Sequence, residues 1–301
     1  MTMLLGSLMM SAPLYAQKKT VKKTVKKATT QLKTYVARDE AFKPDYKLTP
    51  IGIFNADNVA NMQFTKVPKP IFEGQVLKRN MSRKQVALQQ LYCKPNSITD
   101  DDDWYVNNDL FRRGTRIETP MNSFAPRYTY KTGGYLVTAY GPNWGNTRHL
   151  VITDEQQSQY YAAYDFADYI YSPKTTLMGN TQSIDDVLIE GNILYFAHGS
   201  NGYSDGAGYQ TGYITAFDME TGMIIWTTQP MTCNSHFTIV GNSIICGYGF
   251  TSEPDYLYVL DKYSGQRVSR TPMKKMVSDV VVKNGYAYVR TYSYDYLFKI
   301  K

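Results

Sequence analysis

The chain has 301 residues, 33 Lys and Arg against 26 Asp and Glu, and a formal net charge of +7; 43% of it is hydrophobic and 20% charged. Seven lysines stand in residues 1–34 without an acid, so residues 35–301 hold equal numbers of both signs, which argues against a cationic groove for nucleic acid. No apolar run approaches the roughly 18–20 residues of a membrane helix, and the composition excludes a collagen, a coiled coil and a disulfide-dense miniprotein.

Residues 1–16 hold a short apolar stretch, Met3–Met10, and end in Leu14-Tyr15-Ala16 before Gln17. This predicts a secretory signal cleaved after Ala16, although the basic residues that normally precede the apolar run are lacking. The implied location is exported, in the periplasm or at the cell surface. Residues 17–47 are read as a lysine-rich disordered linker. Within it Lys-Lys-Thr-Val recurs every four residues, too poor in apolar side chains to offset the entropy of ordering. A solvated spacer is the favoured reading, and weak contact with an anionic surface, lipid or glycan, is the alternative. Residues 48–301 are read as one domain. Val76–Leu91 has some helical spacing and suggests an insertion or lid. Asp100–Asp103 before Trp104 reads as a solvated acidic turn, since the alternating ligands and Gly of a calcium loop are missing.

Beyond residue 133 the pattern is of short strands rich in Tyr, Ile and Val, bounded by Gly, Asn, Asp and Pro. They are predicted at Tyr135–Tyr140, Ile193–Ala197, Tyr213–Phe217, Ile224–Thr227, Ser243–Gly247, Tyr256–Leu260, Asp279–Val282 and Tyr286–Arg290. Two units repeat. The first is a Gly/Asn turn followed by an apolar strand, starting at Gly133, Gly191, Gly241 and, more weakly, Asn284. Tight turns need positive φ, which Gly and Asn tolerate. The second is strand, Asp-x-x-Ser/Thr-Gly turn, strand. It occurs as Asp218-Met-Glu-Thr221-Gly222 and again 43 residues later as Asp261-Lys-Tyr-Ser264-Gly265. In such a turn the Asp accepts hydrogen bonds from turn amides. Ala163-Tyr164-Asp165 suggests a degenerate third copy. Four short strands in about 43 residues make one propeller blade. The expected fold is therefore all-β, a β-propeller of about six four-stranded blades, with five to seven open and 48–132 supplying the first one or two.

Ala216-x-Asp218-x-x-Thr221-Gly222-x-x-x-Trp226 resembles the repeat of the pyrroloquinoline-quinone (PQQ)-type β-propellers. In that family the repeat's Ala, Gly and Trp form a docking contact in which the indole of one blade packs on the turn of a neighbour. The resemblance implies that Ala216, Gly222 and Trp226 carry it here. The second copy keeps Asp261 and Gly265 but has Val259 and Ser269 in place of Ala and Trp.

No catalytic signature accompanies the repeats. Cys93, Cys233 and Cys246 form no Cys-x-x-Cys, and the sequence leaves open a Cys233–Cys246 bridge or free buried thiols, the thiols being favoured. The three histidines lack metal-ligand spacing. His198 opens a Gly-rich connection, and His198, Asn201 and Asp205 are the candidate ligand loop, set against a plain connecting loop. The 27 tyrosines suggest either an aromatic binding face or strand propensity alone. The expected function is a non-catalytic exported module that binds a protein or glycan, as the resemblance to non-enzymatic members implies. The alternative is an oxidoreductase or hydrolase with PQQ or a metal such as Ca²⁺ at the propeller axis; no cofactor is favoured.

Overall fold

The structure, a computed structural model, describes residues 42–68, 83–96, 124–142, 146–170, 182–200 and 202–301. The predicted signal, most of the linker, Asp100–Asp103 and Asn201 lie outside these residues. The N-terminal part of the described chain holds β1 (Gly52–Ile53), α1 (Ala56–Ala60), β2 (Thr65–Lys66) and β3 (Leu88–Pro95). Three sequential meanders follow, and a fourth is completed from upstream. The first is β4 (Ala125–Thr132), β5 (Tyr135–Gly141), β6 (His149–Thr153) and β7 (Gln159–Asp165), with α2 (Ala167–Ile170) after it. The second is β8 (Gln182–Glu190), β9 (Ile193–Ser200), β10 (Tyr213–Asp218) and β11 (Met223–Thr227). The third is β12 (Thr238–Val240), β13 (Ser243–Phe250), β14 (Glu253–Asp261) and β15 (Arg267–Pro272). The fourth is β16 (Val277–Lys283), β17 (Tyr286–Thr291) and β18 (Tyr294–Ile300), with β3 as its outer strand. Every strand predicted beyond residue 133 is present. The architecture is the all-β, propeller-type fold, and the described residues hold four blades.

Successive blades pack face to face, and strand alternation explains how. On β9, Leu194 and Phe196 join the core shared with the first blade, while Ile193, Tyr195 and Ala197 join the core shared with the third. A strand buried on both faces reads as a continuous apolar run, as Ile193–Ala197 does. A third core, with Ile245, Leu257, Val280 and Phe298, joins the third and fourth blades.

The described part of 48–96 makes no blade of its own, which corrects the expectation for that stretch. β1 and β2 pair with β7 of the first blade, and β3 pairs with β18 of the fourth. The helical spacing of Val76–Leu91 also fails at its C-terminal end, because Leu88–Leu91 lies in β3. The open edge of β18 offers a full ladder of backbone partners, and that pairing outweighs a weak local period. Phe54, Val59 and Met62 cover the free face of the first blade. The ordered body already begins inside the stretch assigned to the linker, since Phe42 packs edge-on against Tyr263 and Lys43 N donates to Asn192 Oδ1 at 2.7 Å.

Candidate functional site

Each meander has two ends. At one stand the Gly/Asn turns and the Asp turns. The other carries the connections β5–β6, β9–β10, β13–β14 and β17–β18, together with the links between blades. The first end is occupied by the chain itself. Asn192 holds Lys43, and Asn242 Nδ2 donates to Lys84 O at 3.2 Å. Asp218 Oδ1 accepts from Asn192 Nδ2 (2.8 Å) and Glu220 N (3.0 Å), and its Oδ2 from Thr221 Oγ1 (2.8 Å). Asp261 Oδ1 accepts from Tyr263 N and Ser264 N at 2.9 and 2.8 Å, and its Oδ2 from Gln85 Nε2 at 2.6 Å. The third turn of this kind is built on Asp154, whose Oδ1 accepts from Ser158 N and Gln159 N at 2.7 and 3.0 Å. Asp165, the expected third copy, instead ends β7 and meets His149 Nε2 at 3.3 Å.

Trp226 opposes Ala216 across the β10–β11 ladder and is buried. Its ring lies on the turn of the following blade: a Cβ on Gly265, which has φ +69°, would stand 2.5 Å from Trp226 Cε3. Gly222 also has positive φ, but nothing stands within 4 Å of a Cβ built on it. The glycine beneath the indole is thus Gly265 and not Gly222.

The other end, left open among the described residues, carries two features that the repeats did not single out. The first is a bridge between blades. Asp186 and Asp279 lie on the first strands of the second and fourth blades, and His236 stands two residues before that of the third. Each sits five residues before its Gly/Asn turn, so they occupy the same place in three consecutive repeats. His236 Nδ1 is 3.4 Å from Asp186 Oδ1, and its Nε2 is 3.8 Å from Asp279 Oδ1. Asp186 also accepts from Val187 N and Phe237 N, both at 3.0 Å. A β-bulge just before Asp186 and another before Asp279 turn these carboxylates onto this face. Beside them Asp185 takes a hydrogen bond from Ser183 Oγ at 2.8 Å, yet burial pushes its carboxyl up to about 7. The only sequence signal for this trio was the constant offset from the turn.

The second feature is aromatic. In the β9–β10 connection Tyr203 is 43% exposed and Tyr209 58%, and Tyr292 in the β17–β18 connection is 80% exposed. Tyr203 packs edge-on against Phe250 at 4.6 Å. Glu253 ties the loop down, accepting from Ser204 N and Tyr248 OH, each at 2.7 Å. Tyr209 holds φ 60°, an unfavourable value for a side chain with a Cβ, and its N–H donates to Ser204 O at 2.6 Å.

The candidate ligand loop is not assembled as expected. His198 is buried, stacks on Tyr213 at 5.2 Å and holds Thr215 Oγ1 at 2.9 Å. Burial pushes it down to about 3, so it is a neutral core imidazole. Asp205 is exposed and accepts from Gly206 N of its own turn at 2.7 Å. Strand alternation sends His198 inward while the loop that follows turns out.

PQQ is a flat tricarboxylate, and with Ca²⁺ it asks for facing cations and free carboxylate oxygens. At the bridge between blades the oxygens of Asp186 are taken by backbone N–H groups and His236. Among the described residues no group of three or more His, Cys, Asp or Glu side chains is arranged to hold a metal ion.

No model of a known protein family matches the chain, and no curated protein matches it. Among solved structures it is similar to BamB from Moraxella catarrhalis, with 13% identity over 61% of this chain and 44% of that one, TM-score 0.38. It is also similar to the Dos1 propeller, with 12% identity over 55% and 43%, TM-score 0.36. A europium-containing methanol dehydrogenase aligns with 14% identity over 73% and 32%, TM-score 0.33. The chain spans less than half the length of each of these three, and likeness at this level leaves the fold and function to be argued from the chain's own residues.

Proposed function

We propose that the chain is an exported, non-catalytic binding module whose ligand, a protein or a glycan, is met at the open end of the blades. The observation that carries this reading is the set of exposed rings, Tyr203, Tyr209 and Tyr292, all on connections at that end. Tyrosine suits such a surface, because it supplies amphipathic contact area at a small entropy cost. Two details support it further. The positive φ of Tyr209 is a strained conformation that presents its ring to solvent. The side chains of Asp186, His236 and Asp279 are engaged with one another and with backbone N–H groups, as in a structural junction. Export follows from the apolar stretch before Ala16.

The test is binding by the purified protein on a glycan array and to a displayed peptide library, compared with the triple variant Tyr203→Ala, Tyr209→Ala, Tyr292→Ala. All three rings are exposed, so the variant should melt with the parent. The expected result is a binder lost in the variant. Equal binding by both proteins, or dye reduction on adding PQQ and Ca²⁺, overturns the reading.

A further inference from the structure

We propose that Cys233 and Cys246 are a disulfide site, joined in the oxidised protein across the packing between the second and third blades. The structure holds both as thiols. Cys233 lies in the link from β11 to β12, and Cys246 lies on β13. The two segments run against each other: Asn234 N donates to Gly247 O and Gly247 N to Ser235 Oγ, both at 2.9 Å. Each sulfur points into the same short turn. Cys246 Sγ donates to Thr232 O at 3.5 Å, the carbonyl that precedes Cys233, and Cys233 Sγ donates to Ser235 O at 3.3 Å. Burial drives the Cys246 thiol well above its usual range, and the neighbouring Cys233 adds to the shift. They are 1% and 0% exposed, inside one core. Thiols so placed are inert once the blades have closed, so the bond forms during folding.

The oxidant is a disulfide, either a small molecule or a dithiol oxidase. Two S–H bonds break and one S–S bond forms between Cys233 and Cys246. Two electrons pass to the oxidant's disulfide, whose sulfurs leave as two thiols with the two protons. Cys93, in the fourth blade, remains a thiol. The bond would pin the link that carries His236 three residues further on, and so hold the imidazole between Asp186 and Asp279.

Only the place of oxidation in the cell rests on the export reading; the bond itself is tested in vitro. Reduced protein is refolded with reduced and oxidised glutathione, then unfolded and treated with a polyethylene-glycol maleimide. One adduct is expected, against three after refolding in dithiothreitol, with a linked Cys233–Cys246 peptide seen by mass spectrometry. Cys93→Ser should give no adduct after oxidative refolding. Reducing the bond should lower the Tm by roughly 5–10 °C. Three adducts after oxidative refolding, or a linked peptide containing Cys93, overturns the proposal. If the protein is found in a reducing compartment, that overturns export, while the bond formed in vitro still supports the site.

Discussion

Trp226→Ala probes the contact between the second and third blades. The indole is 4% exposed, lies 5.9 Å from the Tyr195 ring and covers the Gly265 turn. A buried Trp removes about 200 Å² from water, and about 25 cal/mol per Å² gives an upper bound of about 5 kcal/mol, because the unfolded chain already hides part of that area. The loss should fall at about 3–5 kcal/mol, the range of large-to-small aromatic substitutions in cores. For a domain of this size it corresponds to a Tm lower by roughly 6–20 °C. Urea unfolding followed by far-UV circular dichroism is the suitable assay, since the substitution removes a fluorophore. Gly265→Ala sharpens the test. In the parent, the new Cβ collides with the indole at 2.5 Å and also bears the strain of φ +69°. In the Trp226→Ala background the collision is gone and a strain of about 1–2 kcal/mol remains. The double-mutant cycle should therefore be non-additive by more than about 0.5 kcal/mol. A loss below about 1 kcal/mol for Trp226→Ala, or additive effects, refutes the docking.

Two titratable groups, Asp185 and the buried His198, set opposite pH dependences. Asp185 titrates at about 7 in the fold and near its ordinary 3.8 when unfolded, so the folded state binds its proton more tightly. Its contribution makes stability fall as pH rises from about 4 to about 7, and Asp185→Asn should remove that slope from urea midpoints measured against pH. An unchanged slope would count against the burial of this carboxyl. His198, down at about 3 from 6.5, stays neutral in the fold, so its contribution is lost as pH falls from 6.5 toward 3. His198→Phe, which keeps a ring on Tyr213, should flatten that acid limb, and an acid limb as steep as the parent's would place the imidazole in solvent. Gly191→Ala would put a Cβ 2.2 Å from Lys43 O at φ +59°, whereas Gly241→Ala at φ +57° meets nothing within 4 Å. Trypsin should therefore cleave after Lys47 faster in the first variant only; equal rates would mean that residues 42–48 are not held by this turn.

Local chemistry was legible in the sequence. Strand alternation, the Gly/Asn turns and the Asp turns of the second and third blades depend on residues within a few positions of each other, and all were read at their places. The turn on Asp154 was missed, because Gln157 takes the positive φ, at 56°, that Gly supplies elsewhere. Three matters needed the tertiary structure. Which glycine lies beneath Trp226 is a matter of blade-to-blade packing, and it fell to Gly265. The places of β1, β2 and β3 were decided by the free edges of β7 and β18, which no local period reveals. The meeting of Asp186, His236 and Asp279 depends on bulges, because one extra residue in a strand moves the following side chains to its other face. Sequence by itself determined where strands and turns form, since those choices are made over a few residues. Their partners across blades were decided only by packing, because pairing between distant segments is settled by which edges and faces remain to be covered.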